Sequence, residues 1–409
     1  MSNSHFVPTR ALHDPFVLGQ VSHGVGSAAE IVLGAPGVGK TSALIGRFLA
    51  LVQSGVLPEQ ILVLAATRES AARLRDRIVL ELAALNESRG GDPIAAVEGP
   101  MARTVSSVAF SIVRHHALEN GLKAPELISG AEQDAILATL LEAHEDSADA
   151  ALWPPHVSKL TRSLTGFRAE LRDFFAVCQS LGIDSKTLSA LPNGRAEWRA
   201  VAAILGDYEE TLEGPNYEQR FDPMALLEAA EVILRSEQSG EYFDYRAILV
   251  DDAQELTNGA LRLLRSLATR GIGLVLVGDP DASVLGFRAS DPRAMRDLMN
   301  ELGTGASPII LEARDQARGA VLNEVLLKVA NKISPELAGP QRAALVTKAP
   351  ADEAEAEGDA SFQPLEVRVH DTPASEAAWL AKRLRQLHLH DGLAWRSIAV
   401  VARSREMLR

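Results

Sequence analysis

A glycine-rich segment near the start of the chain constrains the fold more than any other feature of the sequence. Residues 34–41 read Gly-Ala-Pro-Gly-Val-Gly-Lys-Thr and fit the pattern G-x-x-x-x-G-K-[ST] in full. The apolar run Ile31-Val32-Leu33 comes before the segment, and apolar residues at helical spacing over 41–52 come after it. The sequence therefore predicts a buried strand, a tight turn and a helix, in that order.

This arrangement suits the binding of the phosphates of a nucleotide. Glycines let backbone N–H groups curl around phosphate oxygens, and the start of a helix adds partial positive charge. We expect Lys40 to reach the terminal phosphates and the hydroxyl of Thr41 to ligate Mg²⁺. The residues expected to hold the nucleotide here are Gly34, Ala35, Pro36, Gly37, Val38, Gly39, Lys40, Thr41 and Ser42.

Acidic residues follow two later apolar runs, where the rest of the site is expected. Residues 247–250 lead directly into Asp251 and Asp252, and residues 273–277 lead into Gly-Asp-Pro-Asp from position 278. Open α/β sheets place their ligands at the carboxyl ends of strands. We expect Asp251 to hold Mg²⁺ together with Thr41, and Asp252 to polarise the attacking water. Three strand ends thus predict a site for ATP hydrolysis.

The order of the apolar runs predicts an α/β fold with a parallel sheet, because strands and helices alternate. A strand over 61–66 and a helix over 69–85 follow the glycine-rich unit, whereas helical periodicity dominates from 106 to about 234. Strand, helix and strand are expected again over 365–369, 375–387 and 398–401.

These patterns divide the chain into four expected parts. The parts are a P-loop sheet domain over 1–105 and 225–330, an all-helical insertion over 106–224, a connection with an acidic linker over 331–364, and the start of a second sheet domain over 365–409.

Composition excludes several classes of function. The 409 residues carry 41 basic and 54 acidic side chains, a net charge of −13, so a generic nucleic-acid-binding protein is excluded and any DNA contact needs a local basic groove. A single cysteine, Cys178, rules out an intrachain disulfide and fits the cytoplasm. No uncharged apolar run approaches the ~18 residues that span a bilayer, so no membrane association is expected.

Further segments resemble, in the right order, the motifs of the UvrD/Rep-type DNA helicases of superfamily 1A. Residues 61–78, Ile-Leu-Val-Leu-Ala-Ala-Thr-Arg-Glu-Ser-Ala-Ala-Arg-Leu-Arg-Asp-Arg-Ile, resemble motif Ia, and residues 104–110 resemble motif Ib. Residues 250–254, Val-Asp-Asp-Ala-Gln, resemble motif II, and residues 278–289 resemble motif III. The resemblance runs from about Gln20 to the last residue and implies two RecA-like domains, the second only begun.

The resemblance also implies individual roles. Gln20 lies about where the family has its adenine-reading glutamine. Thr67, Arg68 and Ser107 would contact single-stranded DNA, and Phe287 would stack on a base, which is worth ~1–3 kcal/mol in such sites. ATP and Mg²⁺ are the implied cofactors, and single-stranded or duplex-end DNA is the implied substrate.

Two variant motifs are similar to the AdnA-like subunit of actinobacterial helicase–nucleases. They are Thr67-Arg68 in motif Ia and Asp251-Asp252-Ala-Gln in motif II. This similarity implies an ATP-dependent helicase or translocase that moves on single-stranded DNA in double-strand break repair, paired with a second helicase–nuclease subunit. No segment resembles the later motifs, so we expect the front part of a longer motor, which binds nucleotide but unwinds little alone.

The sequence also departs from the family's motifs. Asp252 stands where glutamate is usual, and Ala282 stands where a glutamine senses the γ-phosphate. The arginine finger, worth ~10³–10⁵ in rate, is either Arg314 or Arg318. The expected catalytic residues are Lys40, Asp251, Asp252 and Arg314.

The departures leave an alternative function open. It is a degenerate, non-catalytic motor subunit that binds ATP or DNA as a scaffold for an active helicase–nuclease partner. A P-loop kinase or switch ATPase is a third possibility, disfavoured because such proteins have no need of motifs Ia and Ib.

Overall fold

The computed structural model describes most of the chain in two units, residues 1–347 and 348–409. The described residues are 29–89, 102–192, 194–236, 244–286, 289–298 except 294 and 296, 308–311, 320–345, 366–402 and 407. Within these ranges no helix is long and apolar enough to cross a membrane.

A six-stranded sheet lies at the centre of the first unit, and all of its paired strands run parallel. The strands of the unit are β1 Ala29–Leu33, β2 Ile61–Ala65, β3 Ala102–Thr104, β4 Glu126–Leu127, β5 Arg220–Phe221, β6 Ala247–Val250, β7 Gly273–Gly278 and β8 Ile309–Ile310. The order across the sheet is β3-β2-β6-β7-β1-β8, while β4 and β5 pair separately. This topology confirms the predicted α/β class with a parallel sheet.

Helices make up most of the remaining structure. The α-helices of the described residues are α1 Lys40–Gln53, α2 Arg68–Arg89, α3 Val105–Glu119, α4 Gly130–Glu145, α5 Lys159–Ser163, α6 Thr165–Ser180, α7 Ser185–Ala190, α8 Trp198–Glu213, α9 Pro223–Arg235, α10 Asn258–Ala268, α11 Ala320–Ile333 and α12 Pro373–Leu389.

The sheet is buried on both faces, as parallel sheets require. Every residue of β2 and β6 is buried, and alternate residues along each strand point to opposite faces. Leu64, Val250 and Leu276 pack with α3, α9 and α10 on one face. Val63 and Val275 pack with α1 and α2 on the other. The continuous Val/Ile/Leu runs that predicted the strands exist because neither face meets water.

The helices between the two halves of the sheet have a core of their own. Its buried members from α4, α6 and α8 include Leu137, Phe175 and Leu205. Helix α3, although it lies inside the range expected for the insertion, packs instead against the sheet through Ile112 and its neighbours. The domain boundaries at 105 and 225 stay predictions.

Two strands of the sheet have no counterpart in the sequence predictions. β3 and β8 are three and two residues long, and each lies at an edge of the sheet. A run this short carries no periodicity of its own, so its pairing is decided by the neighbouring strand.

In the second unit, α12 confirms the helix expected over 375–387. The prediction of a strand on either side of this helix was wrong for the described residues, because 366–370 and 398–402 pair with no other strand. Val367, Val369 and Val401 are 79%, 93% and 92% exposed. A strand needs a paired neighbour to satisfy its backbone groups, and none is present among the described residues of this unit.

Asp222 joins the helical insertion to the sheet domain. Its Oδ1 accepts hydrogen bonds from the backbone N–H groups of Met224 and Ala225 at 2.9 and 2.8 Å, which caps α9. Its Oδ2 accepts from Gln179 Nε2 at 3.3 Å and from the Tyr208 hydroxyl at 3.5 Å, both in the insertion. The carboxylate is 2% exposed, so it holds a helix start and a second domain together in a dry environment.

We expect Asp222→Ala to lower the free energy of unfolding by roughly 2–4 kcal/mol, because it removes a helix cap and leaves buried donors unpaired. The matched control is Asp184→Ala, since Asp184 is an exposed cap that accepts from Thr187 N at 2.8 Å. That control is expected to cost about 1 kcal/mol or less. Urea unfolding measures both; equal losses would contradict a joining role for Asp222.

Candidate functional site

The carboxyl ends of β1, β7 and β6 lie side by side, and they bring the predicted site together. Leu33 lies opposite Gly278 in the register of β1 and β7, and Val250 lies opposite Leu276 in that of β6 and β7. The glycine-rich turn, the motif II acids and the motif III turn therefore emerge at one edge of the sheet.

The turn requires glycine at Gly34 and at Gly39 for different reasons. The Gly34 N–H donates to the Gly278 carbonyl at 3.2 Å, and a Cβ on Gly34 would come within 2.6 Å of Val38 Cγ2. Gly39 precedes α1 with φ at 95°, in the left-handed region that favours glycine. The turn can therefore wrap closely around an anion at the start of α1.

Lys40 lies between this turn and a buried acid. Its Nζ donates to the Ala35 carbonyl at 3.2 Å and lies 4.0 Å from Asp279 Oδ2. Asp279 is 1% exposed, and its Oδ2 has no hydrogen-bond partner among the described residues. The ammonium group is thus held at the mouth of the turn, where terminal phosphates are expected.

Thr41 and Asp251 are brought together across 210 residues of sequence. The Thr41 hydroxyl donates to Asp251 Oδ2 at 2.9 Å. Asp251 is 7% exposed, and its Oδ1 is buried without a hydrogen-bond partner in the described part of the chain. Mg²⁺ is usually held by one or two carboxylates together with substrate phosphates and waters. A hydroxyl beside an unpartnered carboxylate oxygen fits that ion.

Both buried acids have unusual proton affinities. Burial, reinforced by the negative charge of Asp252, raises the pKa of Asp251 to about 6. Burial also raises the pKa of Asp279 to about 6, with the charge of Lys40 opposing the rise. Desolvated carboxylates in this range are typical of functional sites, because a bound cation compensates them.

A buried amide connects the strand ends of β6 and β7. Gln254 is 3% exposed; its Oε1 accepts from the Asp279 N–H at 3.0 Å, and its Nε2 donates to Asp252 Oδ1 at 3.4 Å. Asp252 itself has φ at 50°, a left-handed conformation that Asp tolerates. The proposed role of Asp252 as general base stays a prediction.

Glu255 organises the segment that leads to Phe287. Its carboxylate accepts from the backbone N–H groups of Val284 and Leu285 at 2.7 and 2.8 Å. Sequence reasoning missed Glu255, because its partners lie about thirty residues further along the chain. Phe287 lies outside the described residues, as do Gln20, Arg314 and Arg318.

The residues expected to contact DNA follow β2 and β3, the strands beside β6. Thr67 Oγ1 accepts from the Ser70 N–H at 3.1 Å at the start of α2, and Arg68 is exposed. Ser107 Oγ accepts from Arg103 Nε at 3.0 Å at the start of α3. These groups share the edge of the sheet with the phosphate site, and their contact with DNA stays a prediction.

A direct contact joins α2, which follows the proposed DNA-binding residues Thr67 and Arg68, to the start of α1 at the phosphate site. Arg77 of α2 donates from Nη2 to the Ser42 hydroxyl at 2.8 Å, next to Thr41 at the start of α1. The sequence did not single out Arg77 from Arg73 and Arg75, because the three arginines share one helix and the partner lies 35 residues away.

Two arginines of the insertion are already engaged in ion pairs. Arg168 forms two hydrogen bonds of 2.9 Å to the carboxylate of Asp134, and Arg162 binds Glu145 and is 8% exposed. These side chains hold the insertion together, so they are not free to form a DNA-binding face.

Comparison with known proteins decides the family. The model of the UvrD/REP helicase N-terminal domain matches residues 21–302. The chain belongs to the UvrD/REP helicase family. This match spans the glycine-rich turn, the insertion, and motifs II and III.

Relatives within the UvrD/REP family are distant. The probable DNA helicase of Mycoplasma pneumoniae is 24% identical over 93% of this chain and 66% of its own length. The ATP-dependent DNA helicase srs2 of Schizosaccharomyces pombe is 22% identical over 92% of this chain and 40% of its own length. DNA helicase II of Escherichia coli is 23% identical over 72% of this chain and 37% of its own length. The chain thus spans between 37% and 66% of these relatives.

The raised pKa of Asp251 predicts a stability change with a definite sign. Because the pKa in the folded state lies above the ordinary value, protonation favours folding, and that stability is lost as pH rises through about 6. We expect Asp251→Asn to stabilise the nucleotide-free protein by roughly 1–3 kcal/mol at about pH 8, with the gain shrinking towards about pH 5.

Urea unfolding at both pH values measures this gain. Asp76→Asn is the control, because it removes a carboxylate charge at an exposed position of α2. A gain for Asp251→Asn that is the same at both pH values would contradict the burial argument.

Proposed function

We propose that this chain is the ATP-hydrolysing part of a DNA helicase or translocase that couples ATP hydrolysis to movement on single-stranded DNA. The observation that supports this most is the hydrogen bond from Thr41 to Asp251 beside the glycine-rich turn. The Thr41 hydroxyl and the Asp251 carboxylate provide two oxygen ligands for a metal ion, next to the glycine-rich turn that would bind the phosphates.

Each residue then has a task in hydrolysis. Backbone N–H groups of 34–39 and the Lys40 ammonium bind the phosphates and stabilise the charge that develops on them. Thr41 and Asp251 would hold Mg²⁺, which supplies charge neutralisation at the phosphates when bound. Asp252 polarises the attacking water, and Arg314 acts at the γ-phosphate. Gln20 reads the adenine edge.

Binding of DNA is proposed at the neighbouring strand ends. Thr67, Arg68 and Ser107 contact the backbone of single-stranded DNA, and Phe287 stacks on a base. β2 pairs directly with β6, and Arg77 donates a hydrogen bond to Ser42. A structural change at the ATP site is therefore passed to the DNA-binding residues through directly contacting elements.

The narrower assignment rests on the two variant motifs. We propose an AdnA-like subunit that acts in recombinational double-strand break repair in the cytoplasm, with a second helicase–nuclease subunit as its partner. Thr67-Arg68 and the Asp-Asp-Ala-Gln form of motif II support this assignment.

A second function is favoured by the departures in motifs II and III. Ala282 offers no side-chain amide to sense a γ-phosphate, and the Asp252 carboxylate is already bonded to Gln254. A scaffold subunit would bind ATP or DNA through the same residues without turning ATP over.

Hydrolysis of ATP distinguishes the two functions. We expect wild-type hydrolysis to rise when single-stranded DNA is added, and Lys40→Ala to reduce it by about 10²-fold or more, as removal of a charge-stabilising group does. Lys123→Ala is the control, since that exposed lysine pairs with Glu218 at 2.8 Å in the insertion.

Each outcome of this assay decides something. Nucleotide binding with no Lys40-dependent turnover, in this chain and in a longer one, would support the scaffold and contradict the motor. Turnover that survives Lys40→Ala would contradict the phosphate site itself.

Arg68 tests the DNA contact. We expect Arg68→Ala to weaken binding of single-stranded DNA and to lower the slope of log K against log salt by about 0.7, the effect of one lost phosphate contact. Lys123→Ala should leave the slope unchanged. Fluorescence anisotropy across a salt series measures both, and an unaltered slope for Arg68→Ala would place the DNA elsewhere.

A further inference from the structure

A buried ion pair lies just behind the phosphate site. Asp281, in the turn after β7, receives two hydrogen bonds from Arg342: Nε to Oδ2 at 2.8 Å and Nη2 to Oδ1 at 2.5 Å. Arg342 is 6% exposed, and 61 residues separate it from Asp281. Bidentate pairs of this kind fix orientation as well as charge.

Neighbouring side chains complete the network. Ser334 Oγ and Gln341 Nε2 also donate to Asp281, at 3.0 and 3.2 Å, and Arg342 donates to Asn331 Oδ1 at 2.7 Å. Although burial opposes it, the hydrogen bonds from Arg342, Ser334 and Gln341 hold the pKa of Asp281 below its ordinary value. The pair is therefore ionised and fully bonded, which is the arrangement that makes a buried pair persist.

The same turn carries the acid that faces Lys40. Asp279 Oδ1 accepts from the Asp281 N–H at 3.1 Å, and the Asp279 carbonyl accepts from the Ala282 N–H at 2.9 Å. One carboxylate of the turn is thus fixed to Arg342, while the other lies 4.0 Å from Lys40 Nζ.

This separation is longer than that of a hydrogen-bonded ion pair, about 2.7–2.9 Å. Asp279 Oδ2 therefore stops short of Lys40, although its charge attracts the ammonium group and no other described group binds it. Asp281, two residues further along the same turn, is bound to Arg342.

We propose that Arg342 is a positioning residue for ATP binding. Its ion pair with Asp281 fixes the turn over 279–282 and keeps the Asp279 carboxylate from closing on Lys40. The ammonium group then stays available to the terminal phosphate. This role rests on the proposed function, because it needs Lys40 to bind phosphates.

The role predicts an effect that depends on the ligand. Without the ion pair, Asp279 competes for Lys40 with the terminal phosphate, which ATP has and ADP lacks. We expect Arg342→Ala to weaken binding of a non-hydrolysable ATP analogue with Mg²⁺ by at least about fivefold, the lower end of couplings between sites. ADP binding should fall less.

Isothermal titration of the full chain measures both affinities. Asp281→Asn should reduce the ATP-to-ADP affinity ratio as Arg342→Ala does, and Arg342→Lys should recover it only in part, since lysine keeps the charge but not the two-pronged geometry. Lys328→Ala, which removes an exposed lysine paired with Glu324 at 2.6 Å on α11, should leave the ratio at the wild-type value.

A second change separates positioning from a merely structural role. Adding Asp279→Asn to Arg342→Ala removes the competing charge, so it should restore the affinity for the ATP analogue. If Arg342→Ala fails to melt cooperatively, Asp281→Asn carries the test, since it preserves the size of the side chain.

The outcomes are distinguishable. A lowered melting temperature with an unchanged affinity ratio in both variants would overturn the positioning role and leave the proposed function intact. Wild-type protein that binds no ATP analogue, like Lys40→Ala, would overturn the proposed function together with this role.

Discussion

The hydrogen bond between the Thr41 hydroxyl and Asp251 is the interaction on which the rest of the site depends. It joins the start of α1 to the end of β6, and those elements meet only because the parallel sheet places β7 between β1 and β6. A long helical insertion between the two halves of the sheet does not disturb this contact, because the insertion packs around its own core. The chemistry of the site is thus fixed by strand order.

The parts of the fold that sequence reasoning could predict are those with a strong local pattern. β2 and β6 are buried on both faces, so their sequences are continuous apolar runs. The glycine-rich turn is predicted by the spacing of its glycines, lysine and threonine. β8 has two residues and owes its pairing to β1. Glu255, Arg77 and Arg342 could not be found in this way, because each acts through a partner about 30 to 61 residues away.

The main energetic cost in this site is the burial of two carboxylates. Asp251 and Asp279 each keep one buried oxygen without a hydrogen-bond partner in the described chain, and their raised pKa values report the cost of that desolvation. A fold selected only for stability would have neutral side chains at both strand ends. The two acids make sense as groups whose negative charge is compensated when a metal ion is bound nearby.

The order of the strands also explains how two ligands could influence each other. The backbone N–H of Asp251 donates to the Leu64 carbonyl at 2.9 Å, so Asp251, the proposed metal ligand, and the end of β2 are neighbours in one ladder. Thr67 lies three residues after Leu64, immediately before α2, and Arg77 of that helix donates to the Ser42 hydroxyl beside the glycine-rich turn. The proposed DNA-binding residues Thr67 and Arg68 follow β2, which pairs directly with β6, so the proposed coupling between nucleotide and DNA needs no chain of remote contacts.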